Sequence, residues 1–217
     1  MKSLKSIIQG ATSTEWGYKT QLESGSSMFI SKDGASLINL HSQDVQTIVR
    51  AAKEYSELSE IDQINSDLLN PYESLGIGGA EGEVYKAPIR RGLAVALKIY
   101  YLDECNGLKY FEDLVKARRE NDFDTLTPYL ATEDYIVTSL APDLSHLSKF
   151  IQKHPELEPE ILAELSRIRE KGVEDIMLET YDGIIIKDVF ISNFDSDENT
   201  PMNRYRFFIF DMMYVPS

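Results

Sequence analysis

Residues 75–86 read LGIGGAEGEVYK, and residues 95–98 follow them as VALK. The first segment is a glycine-dense turn between residues that suit strands, because valine, isoleucine and tyrosine fit a pleated backbone and glycine fits a tight turn. The second segment is an apolar strand that ends on a cation, Lys98. We therefore expect a strand, a glycine loop and two further strands over 73–101.

The glycine turn and Lys98 together indicate a phosphate site. Glycines let backbone N–H groups approach phosphate oxygens because no Cβ intervenes. A lysine at the end of an apolar strand extends from a partly dry surface, which is costly unless an anion neutralises its charge. Taken alone, the turn is equally well explained as a hairpin. Its glycines are Gly76, Gly78, Gly79 and Gly82.

Two further signals lie in the last part of the chain. Residues 184–194 read IIIKDVFISNF, which places Asp188 five residues before Asn193. Residues 207–211 read FFIFD, an apolar strand that ends on Asp211. A lone aspartate at the end of a strand could also be a turn cap. The order and spacing of all three signals favour one common site.

In this order the motifs resemble those of a protein kinase. The resemblance implies that the glycine loop covers ATP and that Lys98 contacts its α and β phosphates. A helical glutamate then holds the lysine, and Glu112 is the first candidate, with Glu120 as the alternative. Either glutamate could instead lie on a solvated helix face.

The resemblance also assigns the remaining parts of the site. Asp188 would accept the proton of the substrate hydroxyl, while Asn193 and Asp211 would hold Mg²⁺, or Mn²⁺ in its place. The strand over 135–141 would join the two lobes and bind adenine. The residues implied for that purpose are Ser139 and Ala141 through their backbone, and Val84, Ala96 and Ile209 around the ring.

The chain departs from the family pattern at several positions. Ile186 and Lys187 stand where the family has His-Arg before the catalytic aspartate, and Phe190 replaces a lysine that steadies the γ-phosphate. Loss of that cation should slow phosphoryl transfer. After Asp211 the sequence continues with two methionines where Phe-Gly is expected. These departures favour the alternative of a pseudokinase that binds a partner without catalysis.

The implied fold is α+β and two-lobed, with a small β-rich N-lobe and a reduced, mostly helical C-lobe that lacks the activation segment and later helices. Four regions are expected. They are a flexible Ser-rich leader over 1–35 that also suits an export signal, a hairpin and helical extension over 36–72, the N-lobe and hinge over 73–141, and a truncated C-lobe with the catalytic loop over 142–217.

Periodicity and turn signals give the individual elements. The Asp-Gly pair within 32–34 predicts a hairpin over 27–40, and Ser42 is expected to cap a helix over 43–58. The other predicted helices cover 60–69, 107–121, 144–153 and 158–171. Strands are predicted over 135–140 and in the apolar runs 184–187, 190–194 and 206–210.

Composition limits the partners. A net charge of −14 makes binding to nucleic acid unfavourable, since that affinity comes mainly from basic residues. Cys105 is the single cysteine, so no intramolecular disulfide can form and a reducing environment is expected. No apolar run approaches the roughly 20 residues that span a bilayer. We expect a monomer without a membrane span.

A short kinase-like chain with a Ser-rich leader is similar to the minimal effector kinases that bacterial pathogens inject into host cells through type III secretion, the OspG and NleH type. This resemblance implies a secreted virulence factor that acts in the host cytoplasm. Its substrate would be a host signalling protein or chaperone, phosphorylated on Ser or Thr more than on Tyr, with a ubiquitin-loaded host protein as a further partner. A kinase-fold enzyme that transfers AMP is another alternative.

Overall fold

The computed structural model describes residues 3–22, 25–77, 82–101, 106–120, 124–141, 145–146, 151–170, 173–174, 184–186, 207–209 and 213–214. The fold is α+β, with an antiparallel sheet and several helices. The chain divides into two compact units. The first contains Met1–Val115 and Thr127–Leu140, and the second contains Lys116–Leu126 and Ala141–Ser217.

An eight-stranded antiparallel sheet forms the centre of the first unit. Its strands are β1 (Thr12–Ser13), β2 (Gly17–Gln21), β3 (Ser27–Ser31), β4 (Glu73–Ile77), β5 (Gly82–Ile89), β6 (Leu93–Tyr100), β7 (Pro128–Ala131) and β8 (Tyr135–Ser139). Their order in the sheet is β1-β2-β3-β7-β8-β6-β5-β4. The strands predicted around the glycine turn and at 135–140 are confirmed.

Four helices accompany this sheet. They are α1 (Leu4–Gln9), α2 (Lys32–Ser56), α3 (Glu60–Ile64) and α4 (Gly107–Glu120). The prediction for α4 is confirmed to within one residue, because its apolar residues repeat at helical spacing and Asn106 accepts hydrogen bonds from two first-turn N–H groups. The helix predicted over 60–69 forms only at 60–64.

The long helix α2 covers one face of the sheet. Tyr85, Leu97 and Val137 are cross-strand partners on β5, β6 and β8, so their side chains share that face. They belong to one buried cluster with Ile48 and Ala52 of α2. The main hydrophobic core of the first unit therefore lies between α2 and the sheet.

Helix α4 contacts the opposite face. Phe111 of α4 is buried, and its ring centroid lies 5.8 Å from that of Phe29 on β3. Phe29 pairs with Ala131, and Ala131 pairs with Ile136 on β8. Because paired residues share a face, α4 lies on the side of the sheet that α2 does not cover.

The N-terminal region differs from the flexible leader that is expected, and of the hairpin predicted over 27–40 only the first strand forms, as β3. Strands β2 and β3 extend the sheet through β7, and Met28 and Ile30 are buried in the main core. The expected turn at 32–34 is instead the first turn of α2, which begins at Lys32 and ends at Ser56. An Asp-Gly pair predicts a turn because glycine often supplies a positive φ, but Gly34 is not among the glycines with positive φ.

Ser31, and not Ser42, caps helix α2. Its Oγ accepts a hydrogen bond of 2.8 Å from the Gly34 N–H and donates one of 3.3 Å to the Tyr129 carbonyl on β7. Ser31 is only 6% exposed. The cap therefore satisfies a helix N–H and also joins the start of α2 to the sheet.

We expect Ser31→Ala to lower the free energy of unfolding by about 1–2 kcal/mol, at the upper end for a lost N-cap because the site is buried. Ser59→Ala is the matched control, since Ser59 caps the exposed helix α3. Ser59→Ala should lower the free energy of unfolding by less than half as much as Ser31→Ala. Urea unfolding of both variants measures the difference, and equal losses would contradict the double role of Ser31.

The second unit contains short strands and a helix. An antiparallel three-stranded sheet joins β9 (Ser145–His146), β11 (Ile184–Ile186) and β12 (Phe207–Ile209), and β10 (Val173–Glu174) pairs with β13 (Met213–Tyr214). Helix α5 (Glu158–Glu170) matches its prediction. The helix predicted over 144–153 is wrong at Ser145–His146, which form a strand, and is confirmed at residues 151–153, which are helical. The run 190–194 lies outside the described residues.

Candidate functional site

Lys98 lies on the sheet face that α4 contacts. It pairs with Val84 on β5 and with Ile136 on β8, while Ala96 pairs with Lys86 and Thr138. Cross-strand partners share a face, and residues two apart on a strand do so as well. We call the surface formed by Val84, Ala96, Lys98, Ile136 and Thr138 the Lys98 face. Three residues that the sequence predicted for nucleotide binding, Val84, Ala96 and Lys98, therefore lie side by side.

The ammonium group of Lys98 contacts two aromatic rings. Its Nζ lies 5.0 Å from the ring centroid of Tyr100 and 5.4 Å from that of Tyr110 on α4. A cation at this distance is attracted by the electron-rich face of a ring. These contacts keep the charge beside a face that includes the buried apolar residues Ala96 and Ile136. Neither tyrosine is among the site residues predicted from the sequence.

Helix geometry favours Asp113 over Glu112 as the carboxylate on the side of α4 that faces Lys98. A helix turns about 100° per residue, so Glu112 lies about 200° around the axis from Tyr110, whereas Asp113 lies about 60° from it. Glu112 is exposed, and Asp113 is 8% exposed. Asp113 is also the only charged residue in the buried class within the described part of the chain. The side chain of the alternative, Glu120, lies outside the described residues.

The backbone of Ser139 is partly engaged. Its N–H donates to the Thr127 carbonyl at 2.9 Å, and its carbonyl accepts from the Thr138 hydroxyl at 2.9 Å. A carbonyl oxygen has two lone pairs, so this group can accept one further bond, whereas the N–H is already used. Of the two residues predicted to bind adenine through their backbone, Ser139 can therefore act only as an acceptor. Ala141 is exposed beyond the end of β8.

The glycine-dense segment lies between two strands that pair with each other, as predicted. Ile77 at the end of β4 pairs with Glu83 on β5. The residues between them therefore start and end at neighbouring positions in the sheet. Gly82 begins β5 and is buried, and a Cβ on it would meet the Ile99 carbonyl. Close packing of the neighbouring strand therefore requires glycine at position 82, whether or not a phosphate binds there. Gly76 lies in β4, and Gly78 and Gly79 lie outside the described residues.

A carboxylate with three hydroxyl donors joins the strands that flank this turn. Glu83 accepts hydrogen bonds of 2.7 Å from the hydroxyls of Tyr85 and Tyr101, and one of 3.2 Å from Ser74 on β4. Burial raises the pKa of Glu83, but these hydrogen bonds outweigh burial and hold the pKa below its ordinary value. Burial and the Glu83 charge raise the pKa values of Tyr85 and Tyr101. The ionised Glu83 side chain therefore links β4 to β5 and to Tyr101 beside the glycine-dense segment.

We expect Glu83→Gln to reduce stability most near neutral pH. A carboxyl whose folded pKa is depressed adds stability above its unfolded pKa, and this contribution is lost as pH falls through the folded pKa. The stability difference between wild type and Glu83→Gln should therefore shrink below pH 4.5, the ordinary value for the group. Urea unfolding at several pH values measures it. Glu73→Gln is the control at an exposed position, and a difference for Glu83→Gln that stays constant with pH would contradict this role.

Of the remaining predicted residues, Ile209 lies at the end of β12, whereas Asp188, Asn193 and Asp211 lie outside the described residues. The strands before the two aspartates are described, and β11 and β12 pair antiparallel with Ile184 opposite Ile209. The chain consequently leaves β11 and β12 at opposite ends of the pair. Each strand has three residues, so these ends are only about 7 Å apart.

Comparison with known proteins adds no assignment. No protein-family model matches the chain, and no curated protein is significantly similar to it. Within the described residues, no helix is long and apolar enough to cross a membrane. No group of three or more histidine, cysteine, aspartate or glutamate side chains suited to a metal occurs in that same part of the chain.

Proposed function

We propose that this protein is an ATP- and Mg²⁺-dependent protein kinase, directed at Ser or Thr more than Tyr. The observation that carries the proposal is the Lys98 face. It places a cation next to Val84 and Ala96 and close to the strands that flank the glycine turn. A charged group for phosphates and an apolar surface for a base are thereby combined on one side of the sheet.

The proposed site would hold a nucleotide triphosphate and its metal ion. Lys98 would neutralise phosphate oxygens, and the Ser139 carbonyl would accept a hydrogen bond from the adenine amino group. Asn193 and Asp211 would bind Mg²⁺, which supplies charge neutralisation to the phosphates. Asp113, which replaces Glu112 in this assignment, would orient Lys98 from α4.

In the reaction, the substrate hydroxyl oxygen forms a bond to the γ-phosphorus while the bond from that phosphorus to the bridging β,γ-oxygen breaks. Asp188 accepts the hydroxyl proton, and ADP leaves with the electron pair of the broken bond. The remaining features of the resemblance extend the proposal. The enzyme would act as a secreted effector in the host cytoplasm on a host signalling protein or chaperone, with a ubiquitin-loaded host protein as a further partner.

A second candidate is a pseudokinase that binds a host protein. The Lys98 ammonium lies against two tyrosine rings, and the Ser139 N–H is already bonded. Both contacts would compete with a nucleotide. Phe190 in place of a lysine also favours slow or absent transfer.

The test uses purified protein, Mg²⁺, host-cell extract and ATP labelled at either the α or the γ position, with Asp211→Ala as a control. The kinase predicts γ-label on an extract protein that the variant fails to produce. Label from α-labelled ATP alone would identify AMP transfer. Stabilisation by nucleotide or by an extract protein without any transfer would identify the pseudokinase.

A further inference from the structure

Helix α3 exposes two isoleucines on one side. Ile61 is 73% exposed and Ile64 is 83% exposed, and no residue of this helix is buried. Residues three apart lie on the same helix face, so the two side chains form one apolar strip. The helix is held at its ends by the Ser59 cap and by a 3.1 Å hydrogen bond from Gln63 to the Tyr55 carbonyl, and not by packing of the isoleucines.

A groove of about 840 Å³ adjoins this strip. Ile64 and Leu58 belong to its lining, and tyrosines from α2 and from the end of β6 contribute aromatic surface. Its described lining contains the acids Glu60, Glu133 and Asp134 and no basic side chain. We call this feature the Tyr55 groove. Its volume is in the range that accommodates ligands or several side chains.

The acidic edge of the groove concentrates negative charge. Partial burial raises the pKa of Asp134, and the neighbouring charges of Glu133 and Glu57 raise it further, while Lys53 acts in the opposite direction. Lys53 is itself paired with Glu57. The repulsion between the acids would fall if a cation from another molecule lay between them.

We propose that the strip of Ile61 and Ile64 and the Tyr55 groove together dock a basic amphipathic segment of a partner protein. The apolar side chains of the segment would cover the isoleucines, and its lysines or arginines would pair with Glu60, Glu133 and Asp134. Tyrosine rings in the groove also attract cations on their faces. This inference is independent of the proposed kinase activity.

Charge selects this partner over other occupants. A net charge of −14 disfavours a second copy of the chain, and it equally disfavours nucleic acid and anionic lipid, because all of them are negatively charged. A basic segment is instead attracted by the net negative charge of the chain. An exposed apolar strip bordered by acids is the complement of an amphipathic helix with leucines on one face and lysines on the other.

The test measures binding of fluorescein-labelled 14-residue peptides to the full chain by fluorescence anisotropy. The first peptide has leucines on one face of a helix and lysines on the other. The second has glutamate in place of lysine, and the third has glycine in place of leucine. We expect the Leu/Lys peptide to bind at least tenfold more tightly than either of the others. Its affinity should fall with rising salt because ion pairs contribute to it.

Two double variants assign the binding to this surface. Ile61→Ser with Ile64→Ser and Glu133→Gln with Asp134→Asn should each weaken binding of the Leu/Lys peptide at least tenfold. Leu93→Ser, at another exposed apolar position, and Glu158→Gln with Glu160→Gln, which remove two exposed acids elsewhere, should change it less than twofold. Thermal unfolding verifies that each variant is folded.

Three results would overturn the proposal. Equal binding of the Leu/Glu peptide would remove the charge argument, and equal weakening by the control variants would show general attraction to an acidic protein. Sedimentation as a dimer that the Ile61 and Ile64 variant converts to a monomer, without peptide binding, would assign the surface to self-association.

Discussion

Lys98→Ala is expected to lower the kcat/KM for phosphoryl transfer at least about 100-fold, since a positioned cation that stabilises developing phosphate charge contributes on that scale. Thermal stability should change little, because Lys98 is only partly buried and its ring contacts contribute about 1 kcal/mol. Transfer of γ-label to the extract protein, measured at several ATP concentrations, gives both kcat and KM.

Lys86→Ala is the matched control for that experiment. Lys86 lies on the same sheet face, two residues along the strand from Val84, and it forms an exposed ion pair of 3.0 Å with Glu73. Such pairs contribute about 0–1 kcal/mol, so activity should stay within about twofold of wild type. Equal losses in the two variants would mean that general positive charge on this face, and not the position of Lys98, supports activity.

Gly34→Ala is expected to lower the free energy of unfolding by more than about 2 kcal/mol. A Cβ at this position would meet the carbonyl oxygen of Tyr129, and the Tyr129 Cα would lie only 2.9 Å away. Both atoms belong to the backbone of β7, which is held by pairing with β3 and β8, so neither can move aside cheaply. The substitution should therefore separate the start of α2 from the sheet.

Gly10→Ala provides the comparison for this effect. The nearest atom to a Cβ on Gly10 would be the Ile7 carbonyl oxygen at 3.8 Å, an ordinary contact, and its φ of −97° suits alanine. Urea unfolding should show a change below about 0.5 kcal/mol for this variant. An equally small loss of unfolding free energy for Gly34→Ala would contradict the close packing of α2 against β7. The N-terminal region would then contribute less to the stability of the fold.

Sequence reasoning succeeded where the signal is local. The strands around the glycine turn and the helix at 107–120 follow from β-branched residues, glycine and helical spacing within short windows. Lys98 and Ala96 share a face because they are two residues apart on one strand, and Val84 shares it because it pairs with Lys98. The first strand of the predicted hairpin is likewise confirmed as β3, whereas β2 lies in the segment where serines and glycines suggested a flexible leader.

Other features depend on tertiary contacts that the sequence does not encode locally. The choice between Glu112 and Asp113 is set by the rotation of α4 against the sheet, which the positions of Tyr110 and Phe111 define. Gly34 serves close packing and not a turn, and nothing near it in the chain distinguishes these two uses. The roles proposed for Asp188, Asn193 and Asp211 remain predictions from motif spacing.

The most direct test of the account is to identify which lysine an acyl-phosphate derivative of ATP modifies. The reagent transfers its acyl group to an amine close to the bound phosphates, and mass spectrometry locates the modified residue. The account predicts acylation of Lys98, suppressed by excess MgATP, with Lys86 modified weakly and without competition. Modification spread over exposed lysines, with Lys98 unmodified or unaffected by MgATP, would contradict a nucleotide site on this face.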